Sequence, residues 1–123
     1  MKHIAVVLIT GLALSLGSFA AAEKPLNKKE VRELIEKAKT PAEHQRLADY
    51  YAAEAKRLEA EAEDHADMAK AYRVNPHVSE TKLPSAADTI GHCDSWSQNL
   101  KKAAEDARAL SAAHVEMAKA AKK

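Results

Sequence analysis

Apolar and small residues recur at steps of three and four positions along two long stretches of the chain, and charged residues fill most positions between them. This spacing is typical of an amphipathic helix with one buried face. The first stretch opens at Thr40 and continues to about Arg73, and the second runs from about position 88 to Ala121. The pattern therefore predicts two long helices, each with a single buried seam. The seam positions are His44, Leu47, Ala48, Tyr51, Ala55, Leu58, Ala62, His65, Ala69 and Tyr72 in the first helix, and Cys93, Trp96, Leu100, Ala103, Ala104, Ala107, Ser111, His114, Ala118 and Ala121 in the second.

Local signals mark where the helices begin. Thr40 lies three residues before Glu43, which is the arrangement of a capping box at the start of a helix. Within 23–39, Asn27 is a favourable N-cap residue and Glu30 follows it at the same distance. We therefore expect a short N-terminal helix ahead of the first long helix. Its apolar positions are Val31, Leu34, Ile35 and Ala38.

The two seams match each other when the long helices fold into an antiparallel hairpin around a connection at 74–87. Facing residues in such a hairpin have numbers with a nearly constant sum. His44 with His114 and His65 with Cys93 both add up to 158. One register therefore satisfies the apolar pattern and pairs the polar residues of the seam.

The same register places large side chains opposite small ones, as a packed seam requires, with Trp96 facing Ala62 and Tyr51 facing Ala107. The fold class is therefore all-α, and the hairpin occupies 40–123. Because two helices bury little surface, we expect the N-terminal helix to complete a three-helix bundle, or two hairpins to form a homodimeric four-helix bundle through their seams. The whole arrangement is typical of a coiled coil.

Residues 1–22 have the features of a cleaved signal peptide. The apolar run from Ile4 to Leu16 is too short to span a bilayer comfortably, and small residues follow it. We expect cleavage after Ala20 or Ala22, and hence a periplasmic or secreted protein with no membrane span in the mature chain. Without Lys2 the basic and acidic residues are equal at 18 each and are interspersed, which indicates no nucleic-acid partner.

Two polar layers interrupt the seam, and 21 positions, about 30 Å of helix, separate them. Both contain the element His-x-x-Met, which recurs after 49 residues. The layer at the open end of the hairpin consists of His44, His114 and Met117. The layer at the loop end consists of His65, Cys93, Met68 and His92. Imidazole, thiolate and thioether groups are ligands of softer metals, so the sequence predicts a metal-binding protein, with copper favoured over zinc.

A protein that binds no metal is the alternative. Facing polar residues can fix the register of a seam of interchangeable alanines, as a buried Asn does in a coiled coil, and the methionines can fill gaps in the core. The single Cys93 has no internal disulfide partner, so it is free, metal-bound or joined to another chain. His92 and Cys93 are adjacent and point about 100° apart on a helix, and no further catalytic group is apparent, so we predict no enzymatic activity.

The elements His65-x-x-Met68-Ala, His92-Cys93 and His114-x-x-Met117-Ala, in this order around a Pro-containing connection, resemble a group of small exported helical-hairpin proteins of uncharacterised function. The resemblance covers roughly Thr40 to Ala121. It implies the hairpin and the pairing of these positions, and it carries no activity.

Overall fold

The computed structural model describes residues 23–74 and 86–122 of the chain. They form the helices α1 (Lys28–Lys37), α2 (Pro41–Val74) and α3 (Ala86–Ala120). The two long helices pack against each other along their length, and α1 contacts α2. The predicted all-α class and the long helical hairpin with a short N-terminal helix are therefore confirmed. The predicted signal peptide at 1–22 and positions 75–85 of the predicted connection lie outside the described residues.

Both predicted caps are present. The Asn27 side chain accepts hydrogen bonds from the backbone N–H groups of Lys29 and Glu30, and the Glu30 carboxylate accepts one from the Asn27 backbone. At the start of α2, the Glu43 carboxylate accepts hydrogen bonds from the backbone of Lys39 and of Thr40. These backbone N–H groups lower the pKa of Glu43. Each cap satisfies donors that the first helical turn leaves without partners, and this explains why the helices begin where they do.

The seam of the hairpin is built from small residues at intervals of seven. Each of these residues on α2 is buried, and the corresponding row on α3 alternates serine with alanine. Small side chains at the contact allow two helices to approach closely. The row on α2 is Ala48, Ala55, Ala62 and Ala69, and the row on α3 is Ser97, Ala104, Ser111 and Ala118.

Two hydrogen bonds cross the seam and define its register. The Ser97 hydroxyl donates to the carbonyl oxygen of Ala62 at 2.7 Å, and the Ser111 hydroxyl donates to that of Ala48 at 2.8 Å. The residue numbers of both pairs add up to 159, one more than the predicted sum. The predicted register is therefore confirmed to within one position.

The predicted place of Trp96 opposite Ala62 is wrong. Trp96 is 55% exposed, and its neighbour Ser97 occupies the buried position instead. The alanine row of α2 leaves room for a hydroxymethyl group but not for an indole. Trp96 consequently lies about 100° further around α3, on the flank of the hairpin.

The two flanks of the hairpin differ in character. On one flank Arg73 pairs with Asp94 and Arg108 pairs with Glu59, so ion pairs connect α2 to α3. The opposite flank carries the histidines and aromatic residues of the two predicted layers. Within the described residues, neither long helix has an apolar run long enough to cross a lipid bilayer.

Candidate functional site

The open-end layer brings together two histidines from different helices. The Nδ1 atoms of His44 and His114 lie 3.3 Å apart, and the ring centroids are 5.5 Å apart at an interplanar angle of 27°. The Tyr51 ring stacks on the His114 ring, with centroids 5.8 Å apart and an interplanar angle of 8°. The predicted facing of His44 and His114 is therefore present.

The contact between the two Nδ1 atoms restricts the protonation of the pair. A hydrogen bond between them requires one Nδ1 to carry a proton and the other to accept it. Burial lowers the pKa of His114, and the nearby His44 lowers it further. The lowered pKa favours the neutral imidazole of His114, which is the form that binds metals.

The spacing of these nitrogen atoms also suits a shared metal ion. Two nitrogen ligands about 2.0–2.1 Å from one metal ion lie about 3.3–3.4 Å apart at a tetrahedral angle and about 3.5–3.6 Å apart at a trigonal angle, so the observed separation of 3.3 Å needs little adjustment for either geometry. Met117 follows His114 by three positions on α3, so the two side chains share one face of the helix. Its side chain is 47% exposed, so the thioether is not enclosed in the seam.

The loop-end layer contains a ring contact that the sequence did not predict. His65 stacks on Trp96, with ring centroids 4.3 Å apart and an interplanar angle of 17°. The Nδ1 atom of His65 is buried and has no hydrogen-bond partner among the described residues. Cys93, the predicted partner of His65, is half-buried and its thiol is free. This layer therefore contains an indole–imidazole stack with one unpaired nitrogen atom.

The other candidate ligands lie at the surface. Met68 is 48% exposed and His92 is exposed, so neither is enclosed by the seam. The exposure of Met68 and Met117 also contradicts the expectation that these methionines fill gaps in the core. Among the described residues, no three or more His, Cys, Asp and Glu side chains lie close enough together to hold a metal ion.

The structure adds two residues, Tyr51 and Trp96, to the two layers, and the sequence did not assign them there. Tyr51 and Trp96 supply the aromatic surfaces that cover His114 and His65. Ser97 belongs to the buried row of α3. The sequence contains a signal for this position, because Ser97 lies seven positions before Ala104. The indole stack was not detectable from spacing, because it depends on the displacement of Trp96 from the seam.

The fold and these contacts define the chain as a small all-α hairpin protein with paired histidines at the open end of its seam. No protein-family model, no curated protein and no solved structure matches it. The chemistry of its own side chains is therefore the only guide to its function.

Proposed function

We propose that this protein is an exported helical hairpin that binds a soft metal ion at the open-end layer and catalyses no reaction. The observation that supports this proposal is the 3.3 Å separation of the Nδ1 atoms of His44 and His114. The two nitrogen atoms come from helices held in register by the seam, so the site is already assembled before a metal arrives. Preassembly lowers the free-energy cost of binding.

Copper in its Cu(I) state fits this layer better than zinc does. Structural zinc sites use four protein ligands, usually Cys and His. Cu(I) accepts fewer ligands and favours soft donors, including the thioether of methionine. The pair of His44 and His114 supplies two nitrogen atoms, and Met117 supplies a sulfur atom one turn further along α3.

The loop-end layer offers a second, weaker site. Among the described residues the buried Nδ1 atom of His65 has no hydrogen-bond partner, and a buried polar atom left unsatisfied costs about 1–3 kcal/mol. A metal ion bound there would relieve this cost, with the Cys93 thiolate as the second ligand. Met68 follows His65 by three positions, and His92 is adjacent to Cys93. Both side chains are exposed, so they would have to reorient to coordinate the same metal ion.

Titration with Cu(I) in competition with a chromogenic chelator tests the proposal. The Cys93→Ser variant is used as the background, because a free thiol binds Cu(I) by itself. We expect this variant to bind one equivalent of Cu(I), and the additional change His44→Ala or His114→Ala to weaken binding at least about tenfold by removal of a ligand. Met117→Leu is expected to weaken it less.

His92→Ala is the matched control, because it removes an exposed histidine from the same helix as His114 and leaves the pair intact. Circular dichroism confirms that each variant remains helical. Equal Cu(I) affinity in the His44→Ala, His114→Ala and His92→Ala variants would contradict a site at the open-end layer.

A structural or protein-interaction module is the second candidate function. It is favoured by the contacts of His44 with His114, of Ser97 with Ala62 and of Ser111 with Ala48, which all connect α2 and α3 in nearly the same register. In that case the histidine pair only fixes the register. The purified protein would then retain no metal, and His44→Ala would lower the free energy of unfolding without any effect of added copper.

A further inference from the structure

Helix α2 supplies two rings that contact the imidazole of His114. The centroid of the His44 ring is 5.5 Å from that of His114, and the centroid of the Tyr51 ring is 5.8 Å from it. His44 and Tyr51 are seven positions, about 10 Å, apart on α2, so they lie on the same face of the helix. The imidazole of α3 therefore lies between two rings of α2 along the helix axis.

The two rings make different contacts with His114. His44 approaches it edge to edge through nitrogen, with the two Nδ1 atoms 3.3 Å apart. The Tyr51 ring is nearly parallel to the imidazole, with an interplanar angle of 8°. Parallel rings at this centroid separation are offset-stacked and interact through their faces. Tyr51 consequently contacts His114 without competing for its nitrogen atoms.

A contact on the face of the ring restricts its rotation. The χ2 torsion of histidine has a broad energy profile, so an imidazole without neighbours turns readily about its Cβ–Cγ bond. A half-turn of the His114 ring exchanges Nδ1 with Cδ2, and a carbon atom would then face His44. Midway through this turn, the edge of the imidazole would point towards the Tyr51 ring. Stacking by Tyr51 therefore opposes the rotation that would remove Nδ1 from the site.

Tyr51 is held in place by a second contact. Its side chain is half-buried, and its ring meets the Tyr50 ring edge to face, with centroids 5.3 Å apart and an interplanar angle of 76°. A supporting side chain that is itself constrained can hold a ligand in one orientation before the ion arrives. Such support lowers the cost of ordering the site on binding.

We propose that Tyr51 is a positioning residue of the open-end metal site, and that it keeps the His114 imidazole turned so that Nδ1 faces His44. The inference rests on the proposed metal-binding function for its effect on affinity, whereas the stacking contact itself needs no metal. Tyr51 binds no ion, and the face of its ring, not its hydroxyl group, has the positioning role. Both histidines then bind the ion through Nδ1.

Cu(I) titration of Tyr51 variants in the Cys93→Ser background tests the effect on affinity. A histidine released from its neighbours has about six combinations of χ1 and χ2, and the apparent affinity falls with the fraction of molecules in the competent one. We therefore expect Tyr51→Leu to weaken Cu(I) binding about three- to tenfold. Tyr51→Phe keeps the ring and should keep the parent affinity.

Tyr72→Leu is the matched control, because it makes the same change at a half-buried position of α2 that lies 21 residues further along the helix. This variant should bind Cu(I) as tightly as the parent. Circular dichroism confirms that the variants remain helical. Equal affinity in Tyr51→Leu and Tyr72→Leu would overturn the proposal.

NMR of the Cu(I)-loaded protein with isotope-labelled histidine gives a readout that a change in stability alone would not produce. Cu(I) is diamagnetic, so the imidazole nitrogen resonances identify the nitrogen atom that binds. We expect His114 to bind through Nδ1 alone in the parent and in Tyr51→Phe, and through Nδ1 or Nε2 in different molecules of Tyr51→Leu. Binding through Nδ1 alone in Tyr51→Leu would overturn the proposal.

NMR of the metal-free protein separates this proposal from the proposed function. Cε1 of His114 is bonded to Nδ1 and Cδ2 is not, so the Hε1 proton should show the stronger nuclear Overhauser contact with His44. This contact should be kept in Tyr51→Phe and weakened in Tyr51→Leu. If the parent shows this pattern but binds no Cu(I), the metal site is refuted and Tyr51 still positions His114. If Cu(I) binds and Tyr51→Leu changes neither affinity nor contact, the role of Tyr51 is refuted and the metal site stands.

The parent protein decides the question if Tyr51→Leu does not fold. Nuclear Overhauser contacts between the ring protons of Tyr51 and those of His114 would support the proposal, and their absence would overturn it.

Discussion

At the scale of single residues, the size of the side chain decides which of two neighbours enters the seam. Trp96 and Ser97 are adjacent, and both lie near Ala62 on the facing helix. Ser97 is buried because its hydroxyl reaches the Ala62 carbonyl group, and Trp96 is displaced to the flank, where it stacks on His65. Displacement of one large side chain thus creates the exposed apolar surface and also covers the histidine ring.

The histidine pair makes stability depend on pH. Burial and His44 lower the pKa of His114 below its ordinary value of 6.5, so the unfolded chain binds a proton more readily than the folded one. The contribution of His114 to stability is therefore complete above about pH 7.5 and is lost as the pH falls through 6.5 towards its lower folded value. We expect the urea midpoint of the metal-free protein to fall between about pH 7.5 and pH 5.

The control for this prediction is His114→Gln, which keeps a polar side chain of similar size and removes the titrating group. The dependence of the midpoint on pH should be smaller in this variant than in the parent. An equal dependence in both proteins would show that other groups cause it.

At the scale of the element, the heptad row of alanine in α2 determines how closely the helices approach. A larger residue in this row has no space to occupy, because Ala62 is fully buried and its carbonyl oxygen accepts the hydrogen bond from Ser97. The same helix tolerates large residues at positions that face solvent, including Met68. The two faces of α2 therefore respond differently to the same substitution.

Ala62→Leu should lower the free energy of unfolding by about 1–3 kcal/mol, because the larger side chain forces the helices apart and breaks the Ser97 hydrogen bond. Urea denaturation followed by circular dichroism measures this change. Ala60→Leu, at an exposed position two residues away, should change stability by less than about 0.5 kcal/mol. If the two variants were equally stable, close packing at the alanine row would not be a determinant of the fold.

At the scale of the whole molecule, the hairpin has a long but thin core. Leu47 is the largest side chain that is fully buried among the described residues, and most other core positions are alanine. Alanine contributes little hydrophobic free energy for each residue buried. Stability must therefore accumulate along the length of the helices.

The predicted signal peptide makes export a prediction about the full chain, and the full chain is used to test it. When the chain is produced in a bacterium and recovered from the periplasm, intact mass measurement should show a protein that begins at Ala21 or Glu23. Leu12→Lys places a charge within the apolar run of the predicted signal peptide, and we expect this variant to remain unprocessed. A periplasmic protein that still begins at Met1 would contradict cleavage.

The sequence by itself determined the helices, their caps and the antiparallel register. These features follow from local chemistry and from periodicity: Asn27 and Thr40 cap the helices, and the seam residues recur at helical spacing. The facing of His44 and His114 was predictable for the same reason, because a constant sum of residue numbers relates positions on two antiparallel helices.

Only the tertiary structure decided which side chains enter the seam and which remain on its flank. The sequence pattern does not distinguish Trp96 from its neighbour Ser97 as the residue that enters the seam. The distance between the packed helices admits only the smaller side chain. The stack of His65 on Trp96 and the exposure of Trp96 follow from that choice. Periodicity specifies the direction in which a residue points, but the space available to it depends on the residues of the other helix.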